Sequence, residues 1–402
     1  MFSTIIPPNA SVKEHEIEVP WDRSAPELGT FTLFCRELYA DETLPPLLFL
    51  QGGPGSPAPR LVQGWIPEAL KHYRVFLLDE RGTGRSGKID KGTPELVRPE
   101  ILSKLRCPDV VADAEDLRRH LGFDTWDVLG NSFGALCTAS YLSYAPESLN
   151  RAFLTGALPN LGWSTDEYNE LTLDSVDKRC QEFYDAVPFA EQTIRDVCAH
   201  LDQTEEFLPT GERLTANRFR FIGVALGAEF GFTVLANLLE SPFYPDSKRL
   251  RKDFLAGVNS LISTEANPLW PVVHLAMLGA SDTVGQSRLD ADPTSAEPYY
   301  LLGNHFFRHH FAEDPALTPF QDAVDALAEM DPAPLFDAAQ LAVNRVPATV
   351  ALYERDMFVP LPMAEKIAES IGNLTVWTHP EWDHDAIYNH GGELFRSVWD
   401  AS

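Results

Sequence analysis

Residues 128–134 begin with a strand pattern and lead directly into a helix pattern. Val128 and Leu129 are typical of a buried strand, whereas residues 135–139 favour a helix built from small side chains. Between them stands Gly130-Asn131-Ser132-Phe133-Gly134, in which glycines flank the central serine at a spacing of two. Glycine tolerates unusual backbone angles and lets a helix approach a strand closely. The pattern therefore predicts a sharp strand-to-helix turn that presents the Ser132 hydroxyl at the rim of a sheet, beside the positive end of a helix.

A glycine-rich segment earlier in the chain has a backbone that few side chains could cover. The apolar strand predicted at 46–50 runs into Gln51-Gly52-Gly53-Pro54-Gly55. Such a loop can direct backbone N–H groups at a developing oxyanion. We expect the N–H groups of Gly53 and of Phe133, the residue after the serine, to form an oxyanion hole. The alternative is a simple Gly/Pro turn.

Two polar residues follow predicted strands near the end of the chain. Asp356 comes after the strand at 348–353, and His384 after the strand at 374–377. A serine hydroxyl becomes a good nucleophile when a histidine accepts its proton, and that histidine needs a carboxylate to orient it. We predict that Ser132, Asp356 and His384 form this triad, in the chain order typical of an α/β-hydrolase. The rival residues are, for the carboxylate, Glu354, Asp383 and Asp385, and, for the imidazole, His379 and His390.

Strand and helix patterns alternate in the first part of the chain. Strands are predicted at 15–19, 30–38, 47–50, 74–78, 126–130 and 151–155, and a helix at 110–121 that stops at Gly122. From about 160 the strand pattern gives way to helical patterns such as 221–239 and 316–330, and the strands resume at 346. We predict an α/β fold with a mostly parallel sheet flanked by helices. Residues 1–159 and 344–402 would form the catalytic domain, and 160–343 an inserted helical cap domain.

The motifs resemble those of a known family. Gln51 to Gly55 is similar to the His-Gly-Gly-Pro-Gly loop of the prolyl aminopeptidases, or proline iminopeptidases, and residues 79–86, Asp-Glu-Arg-Gly-Thr-Gly-Arg-Ser, resemble their Asp-Gln-Arg-Gly-Thr-Gly-Arg-Ser segment. Residues 218–240, 314–317 and 353–359 continue the likeness to the longer subgroup of this branch of the α/β-hydrolases. The resemblance implies the triad and oxyanion hole given above. It also implies release of N-terminal proline from small peptides, with cap glutamates that bind the free amine.

The chain departs from the family where those glutamates are expected. Gly303-Asn304-His305 replaces one acidic stretch, and Leu275 follows His274 where a second glutamate is expected. Glu229 is a candidate to compensate, although a solvated helix residue is an equal interpretation. We expect substrate contacts from Gly52, Glu229, Asn304, His305 and Trp270, the aromatic ring of Trp270 facing an apolar substrate ring.

Three functions remain open at this stage. The first is a serine aminopeptidase that releases proline from small peptides through an acyl-enzyme. The second keeps the triad but makes the enzyme an esterase, lactonase, amidase or acyltransferase for an uncharged small molecule, which the missing glutamates favour. The third is a catalytically silent hydrolase fold that binds a ligand.

Composition excludes several partners. The 402 residues carry a net charge of −27, which opposes binding to nucleic acids or anionic membranes. The five cysteines show no paired spacing, and no basic start followed by an apolar stretch is present. We therefore expect a cytoplasmic protein with reduced thiols and no anchor. We expect no cofactor and no metal; a peptide or other small molecule is the expected partner, and a homo-oligomer is compatible with the sequence.

Overall fold

The computed structural model describes residues 10–278, 286–303, 305–330 and 333–401. Its centre is one sheet of eight strands in the order β1-β2-β4-β3-β5-β6-β7-β8. The strands are β1 Ser11–Pro20, β2 Thr30–Tyr39, β3 Pro46–Leu50, β4 Arg74–Leu78, β5 Trp126–Asn131, β6 Leu149–Thr155, β7 Ala348–Tyr353 and β8 Leu374–His379. The pairs β1–β2 and β2–β4 are antiparallel, and all the other pairs are parallel.

Helices cover this sheet and fill the long connection between β6 and β7. They are α1 Ile66–Ala69, α2 Pro99–Leu102, α3 Cys107–Leu121, α4 Phe133–Tyr144, α5 Thr165–Ala186, α6 Ala190–Gln203, α7 Ala216–Arg220, α8 Gly231–Leu239, α9 Lys252–Ile262, α10 Leu269–Leu278, α11 Gln286–Leu289, α12 His309–Glu313, α13 Gln321–Ala328, α14 Ala338–Ala342, α15 Leu361–Ala368, α16 Ala386–Asn389 and α17 Gly391–Asp400. Short 3-10 helices lie at Pro26–Leu28, Pro94–Leu96, Pro146–Ser148, Phe221–Gly227 and Thr318–Phe320.

Side chains alternate between two apolar layers, as strands buried on both faces require. Leu48 and Val128 point into a layer shared with α3 and α4, whereas Leu47 and Leu129 point into a layer shared with α1 and α17. The mostly parallel sheet with helices on both faces confirms the predicted fold class. Because β3 and β5 lie in the middle of the sheet, the loops at their carboxyl ends meet over its centre.

The region between β6 and β7, called here the helical insertion, has an apolar cluster of its own. Helices α5, α6, α8 and α9 contribute most of this cluster, and Met357 from beyond β7 joins it. The sequence pattern predicts one helix over 221–239, but the structure has a 3-10 helix at Phe221–Gly227 and then α8 from Gly231. A Cβ atom at Gly231 would lie 1.8 Å from the Ala225 carbonyl oxygen, so the chain folds back on itself there. This local turn of the backbone interrupts the single helix that the periodicity predicts.

The segment 79–86 is a mostly buried turn that follows β4. Arg81 donates two hydrogen bonds of 2.7 Å to the Asp113 carboxylate on α3, and both side chains are 1 % exposed. Gly82 donates its N–H to the Ser86 carbonyl at 2.8 Å. The turn therefore ties β4 to α3 through a bidentate ion pair.

Candidate active site

The structure places Ser132 at a sharp turn between β5 and α4. Its backbone angles are φ 53° and ψ −116°, and its N–H donates to the Thr155 carbonyl at 2.8 Å. A Cβ atom at Gly130 would lie 2.1 Å from the Gly134 carbonyl oxygen, and one at Gly134 would lie 2.0 Å from the Leu50 carbonyl oxygen. The two glycines are therefore needed for close approach of the backbone, as the sequence pattern predicts.

His384 and Asp356 lie beside this serine and continue a chain of hydrogen bonds. The His384 Nε2 atom is 2.9 Å from Ser132 Oγ, and Nδ1 is 2.6 Å from Asp356 Oδ2. The other carboxylate oxygen of Asp356 accepts N–H groups from Phe358 at 2.8 Å and Val359 at 3.1 Å. These backbone donors fix the carboxylate, which in turn orients the imidazole. We call Ser132, His384 and Asp356 the serine–histidine–aspartate cluster.

The rival histidines are engaged elsewhere. His379 stacks on one side of the Trp382 ring with 3.9 Å between centroids, and His390 stacks on the same indole at 4.8 Å. His390 also pairs with Glu229, whose carboxylate is 3.2 Å from His390 Nε2.

Asp383, one of the rival acids, is held by a different partner. Asp383 accepts a hydrogen bond of 2.8 Å from Arg179 on α5, and both side chains are buried. Glu354 is exposed. The structure thus brings Asp356 into contact with His384, and the Asp383 carboxylate into contact with Arg179.

The environment of His384 favours its protonated form. Burial alone would lower the pKa of His384, but the Asp356 carboxylate, through its charge and its hydrogen bond, and the Asp385 carboxylate raise this pKa above its ordinary value. The imidazole can therefore take up a proton from the neighbouring hydroxyl, and the carboxylates stabilise the imidazolium that results.

A cavity of about 420 Å³ opens above Ser132 and His384. Gly52, Gly53, Phe133 and Trp270, four of the predicted site residues, line it. Phe133 is the first residue of α4, where backbone N–H groups have no partner within the helix.

The helical insertion contacts the glycine loop, residues 51–56, at one side of this cavity. Asn267 Nδ2 lies 3.0 Å from the Pro54 carbonyl oxygen and 3.0 Å from Ser56 Oγ. A Cβ atom at Gly55 would lie 2.5 Å from Asn267 Oδ1 and 2.7 Å from Leu269 Cβ. The lack of a side chain at Gly55 therefore allows the insertion to pack directly on the loop.

Three further predicted substrate contacts have different positions. Glu229 is not among the described residues that line the cavity, and its carboxylate faces His390. His305 is not among the described residues that line the cavity; its Nε2 atom is 2.8 Å from Thr172 Oγ1, and burial lowers its pKa to about 3. Asn304 lies outside the described residues.

Sequence reasoning missed other cavity residues. Tyr388 holds Gln51, whose Nε2 atom donates to the tyrosine hydroxyl at 2.8 Å, and Asn267 and Tyr168 reach the cavity from the insertion. From the sequence, Asp385 was considered only as a rival to Asp356. Its position next to His384 in the chain could have indicated that it lies at the same cavity. In the part of the chain that the structure describes, Asp385 is the one carboxylate that lines this cavity.

The described ranges contain no group of three or more histidine, cysteine or carboxylate side chains arranged to hold a metal ion. None of the helices in those ranges is long and apolar enough to cross a bilayer.

Comparison with known proteins places these features in a family. Residues 45–391 match the family model described as alpha/beta hydrolase fold. A proline iminopeptidase of Aeromonas sobria is 34 % identical over 400 residues, which cover 94 % of this chain and 94 % of that protein. A proline iminopeptidase of Aspergillus aculeatus is 27 % identical in an alignment of 431 positions, which covers 99 % of this chain and 95 % of that protein. This chain is therefore a hydrolase that belongs to the proline iminopeptidase family.

Proposed function

We propose that this hydrolase uses Ser132 as its nucleophile and releases proline from the N-terminus of small peptides. The proposal rests on one observation above all, the unbroken contact from Ser132 Oγ through His384 to Asp356, at 2.9 and 2.6 Å. Both distances are those of hydrogen bonds that can relay a proton.

The reaction would proceed by acyl transfer. His384 Nε2 takes the proton of Ser132 as Oγ attacks the carbonyl carbon of the first residue, while Nδ1–H stays bonded to Asp356. The imidazolium then gives its proton to the leaving amine, and the C–N bond breaks to leave an acyl-enzyme. Water, deprotonated by His384, attacks this ester and returns the serine to its starting form.

The Gly53 and Phe133 N–H groups would stabilise the negative charge that develops on the carbonyl oxygen. Phe133 and Gly53 both line the cavity, and Phe133 is at the start of α4, where backbone N–H groups have no partner within the helix. Loss of one such donor typically slows a hydrolase by about 10² to 10³. This pair completes the set of groups that the chemistry needs.

The walls of the cavity suit a small apolar ring. Trp270 and Phe358 line it, and the Trp270 indole meets Phe306 edge to face at 4.8 Å between centroids. Burial lowers the pKa of His274, another wall residue, to about 4, so this imidazole is neutral near pH 7 and adds no charge. A pyrrolidine ring would bury its apolar surface against these groups.

The test is hydrolysis of proline para-nitroanilide by the purified wild-type protein and two variants. We expect the Ser132→Ala protein to lose activity and to escape labelling by a fluorophosphonate. Ser140→Ala is the matched control, because Ser140 is a buried serine on α4 whose hydroxyl has no hydrogen-bond partner among the described residues. Wild-type protein that accepts the fluorophosphonate but acts on no compound with an N-terminal proline would refute the specificity and leave the nucleophile standing.

A second function is favoured by a specific feature of the chain. Leu275 and Gly303 stand where the family resemblance leads us to expect glutamates that bind an amine. With these acids absent, an uncharged ester, lactone or amide becomes the alternative substrate. Hydrolysis of simple esters at a rate that is indifferent to a free amine in the substrate would support this alternative over the aminopeptidase.

A further inference from the structure

One acidic side chain at the cavity lacks a cationic partner. Asp356 is paired with His384, Asp383 with Arg179 and Glu229 with His390. Asp385 lies among these acids and lines the cavity, but no salt bridge within residues 10–278, 286–303, 305–330 and 333–401 includes it. A carboxylate at the edge of an apolar cavity is stabilised when a cation binds there.

The Asp385 carboxylate is held in place but is not saturated with donors. Its Oδ1 atom accepts the Glu229 backbone N–H at 3.1 Å, and its Oδ2 atom accepts Asn389 Nδ2 at 2.8 Å. An ionised carboxylate has about four acceptor positions, so two remain for a ligand. The two neutral donors orient the group without cancelling its charge.

The position of Asp385 relates this charge to the reacting atoms. It follows His384 directly in the chain and is near enough for its charge to raise the pKa of that imidazole. His384 Nε2 is itself 2.9 Å from Ser132 Oγ. A cation bound by Asp385 would therefore lie in the same cavity as the carbonyl group under attack.

Glu229 does not have this combination of features. Its carboxylate pairs with His390 away from the cavity, while its backbone N–H fixes Asp385. The residue thus contributes to the site through its main chain.

We infer that Asp385 binds the protonated amine of the substrate's first residue, and so replaces the glutamates that are missing from the insertion. The inference rests on the proposed aminopeptidase function. The ammonium would donate a charge-assisted hydrogen bond to Asp385 while the apolar walls hold the ring. The same carboxylate would also offset the repulsion between the substrate's ammonium and the His384 imidazolium that forms during attack.

The test compares two substrates that differ at one atom. One is the para-nitrophenyl ester of proline, and the other is that of tetrahydrofuroic acid, whose ring oxygen replaces the nitrogen. In Asp385→Asn, the ratio of kcat/KM for the proline ester to that for its neutral analogue should fall about tenfold to a hundredfold, the range for a hydrogen bond to a charged group. Glu381→Gln, at an exposed side chain that is not among the described residues lining the cavity, is the matched control and should keep the wild-type ratio; Glu229→Gln tests the rival carboxylate.

Inhibition gives a second readout that does not require turnover of a proline compound. L-prolinamide should inhibit hydrolysis of the neutral ester, and its inhibition constant should rise about tenfold or more in Asp385→Asn. Tetrahydrofuroic amide should inhibit both proteins equally. A wild-type ratio and inhibition constant in Asp385→Asn, or a selective loss in Glu229→Gln, would overturn the assignment.

The two proposals fail in different ways. A wild-type protein that hydrolyses the neutral ester but not proline para-nitroanilide refutes the aminopeptidase function. In that case the prolinamide measurement still decides whether Asp385 binds an ammonium group.

Discussion

Replacement of Gly134 by alanine should separate the geometry of the Ser132 turn from its chemistry. The added Cβ atom would lie 2.0 Å from the Leu50 carbonyl oxygen, whereas real Cβ atoms keep at least 3.0 Å from such neighbours. Leu50 ends β3, a central strand paired on both sides, so the start of α4 must move. The required displacement is about 1 Å, which is 3.0 minus 2.0 Å, and overpacking of this kind costs about 1 to 3 kcal/mol of unfolding free energy.

The same displacement should damage catalysis more than stability. Ser132 lies two residues before Gly134, and a shift of about 1 Å would stretch its 2.9 Å contact with His384 Nε2 beyond hydrogen-bond length. Misplacement on this scale lowers a rate by about 10²-fold. We expect kcat/KM for a para-nitrophenyl ester to fall by that factor, while urea denaturation shows a protein that is still folded.

Gly392→Ala on α17 is the matched control. A Cβ atom at Gly392 would have no neighbour closer than 3.9 Å, so this variant should keep wild-type activity and stability. If Gly134→Ala retains kcat/KM within about threefold of wild type, the turn does not need the close approach inferred here.

Three other predictions follow from the ionisable groups and thiols. Since His384 must be neutral to accept a proton and its pKa is raised above 6.5, ester hydrolysis should fall on acidification with a midpoint above pH 6.5; a midpoint below that value would contradict the assigned environment. Arg179→Met should lower the unfolding free energy by about 3 kcal/mol because Asp383 is left buried without its main partner, and adding Asp383→Asn should restore most of the loss; equal stability of the two variants in urea would exclude this reason. All five cysteines are buried, and burial raises the pKa of the thiols at Cys35, Cys137, Cys180 and Cys198, so the native protein should resist a disulfide reagent until it is unfolded; rapid labelling of the folded protein would refute this prediction.

The parts of the site that depend on local backbone rules were predictable from sequence. The turn at Ser132 follows from an apolar strand, two glycines and a helix start, and the structure has strand β5 and helix α4 on its two sides. The positions of Asp356 and His384 after predicted strands indicate them as the partners of the serine, and their side chains are in contact in the structure. Parallel strands deliver the ends of distant segments to one edge of the sheet, which is why chain order is informative here.

Pairings between distant side chains were not predictable in this way. Asp383 and Asp385 flank His384 in the chain, and the main partner of Asp383 comes from α5 in the insertion. Arg179 precedes Asp383 by 204 positions, and Glu229 precedes its partner His390 by 161. No local pattern distinguishes a paired carboxylate from that of Asp385, which forms no salt bridge within the described ranges.

The contact between Asn267 and the glycine loop limits how far this enzyme could be shortened. A minimal version that joined β6 directly to β7 would remove the amide that holds Pro54 and Ser56, and with it the arginine that neutralises Asp383. The glycine loop would lose its hydrogen bonds to Asn267. The segment that carries His384 would lose the ion pair between Asp383 and Arg179. Removal of these helices would therefore weaken the support of the glycine loop and of His384, although neither belongs to the insertion.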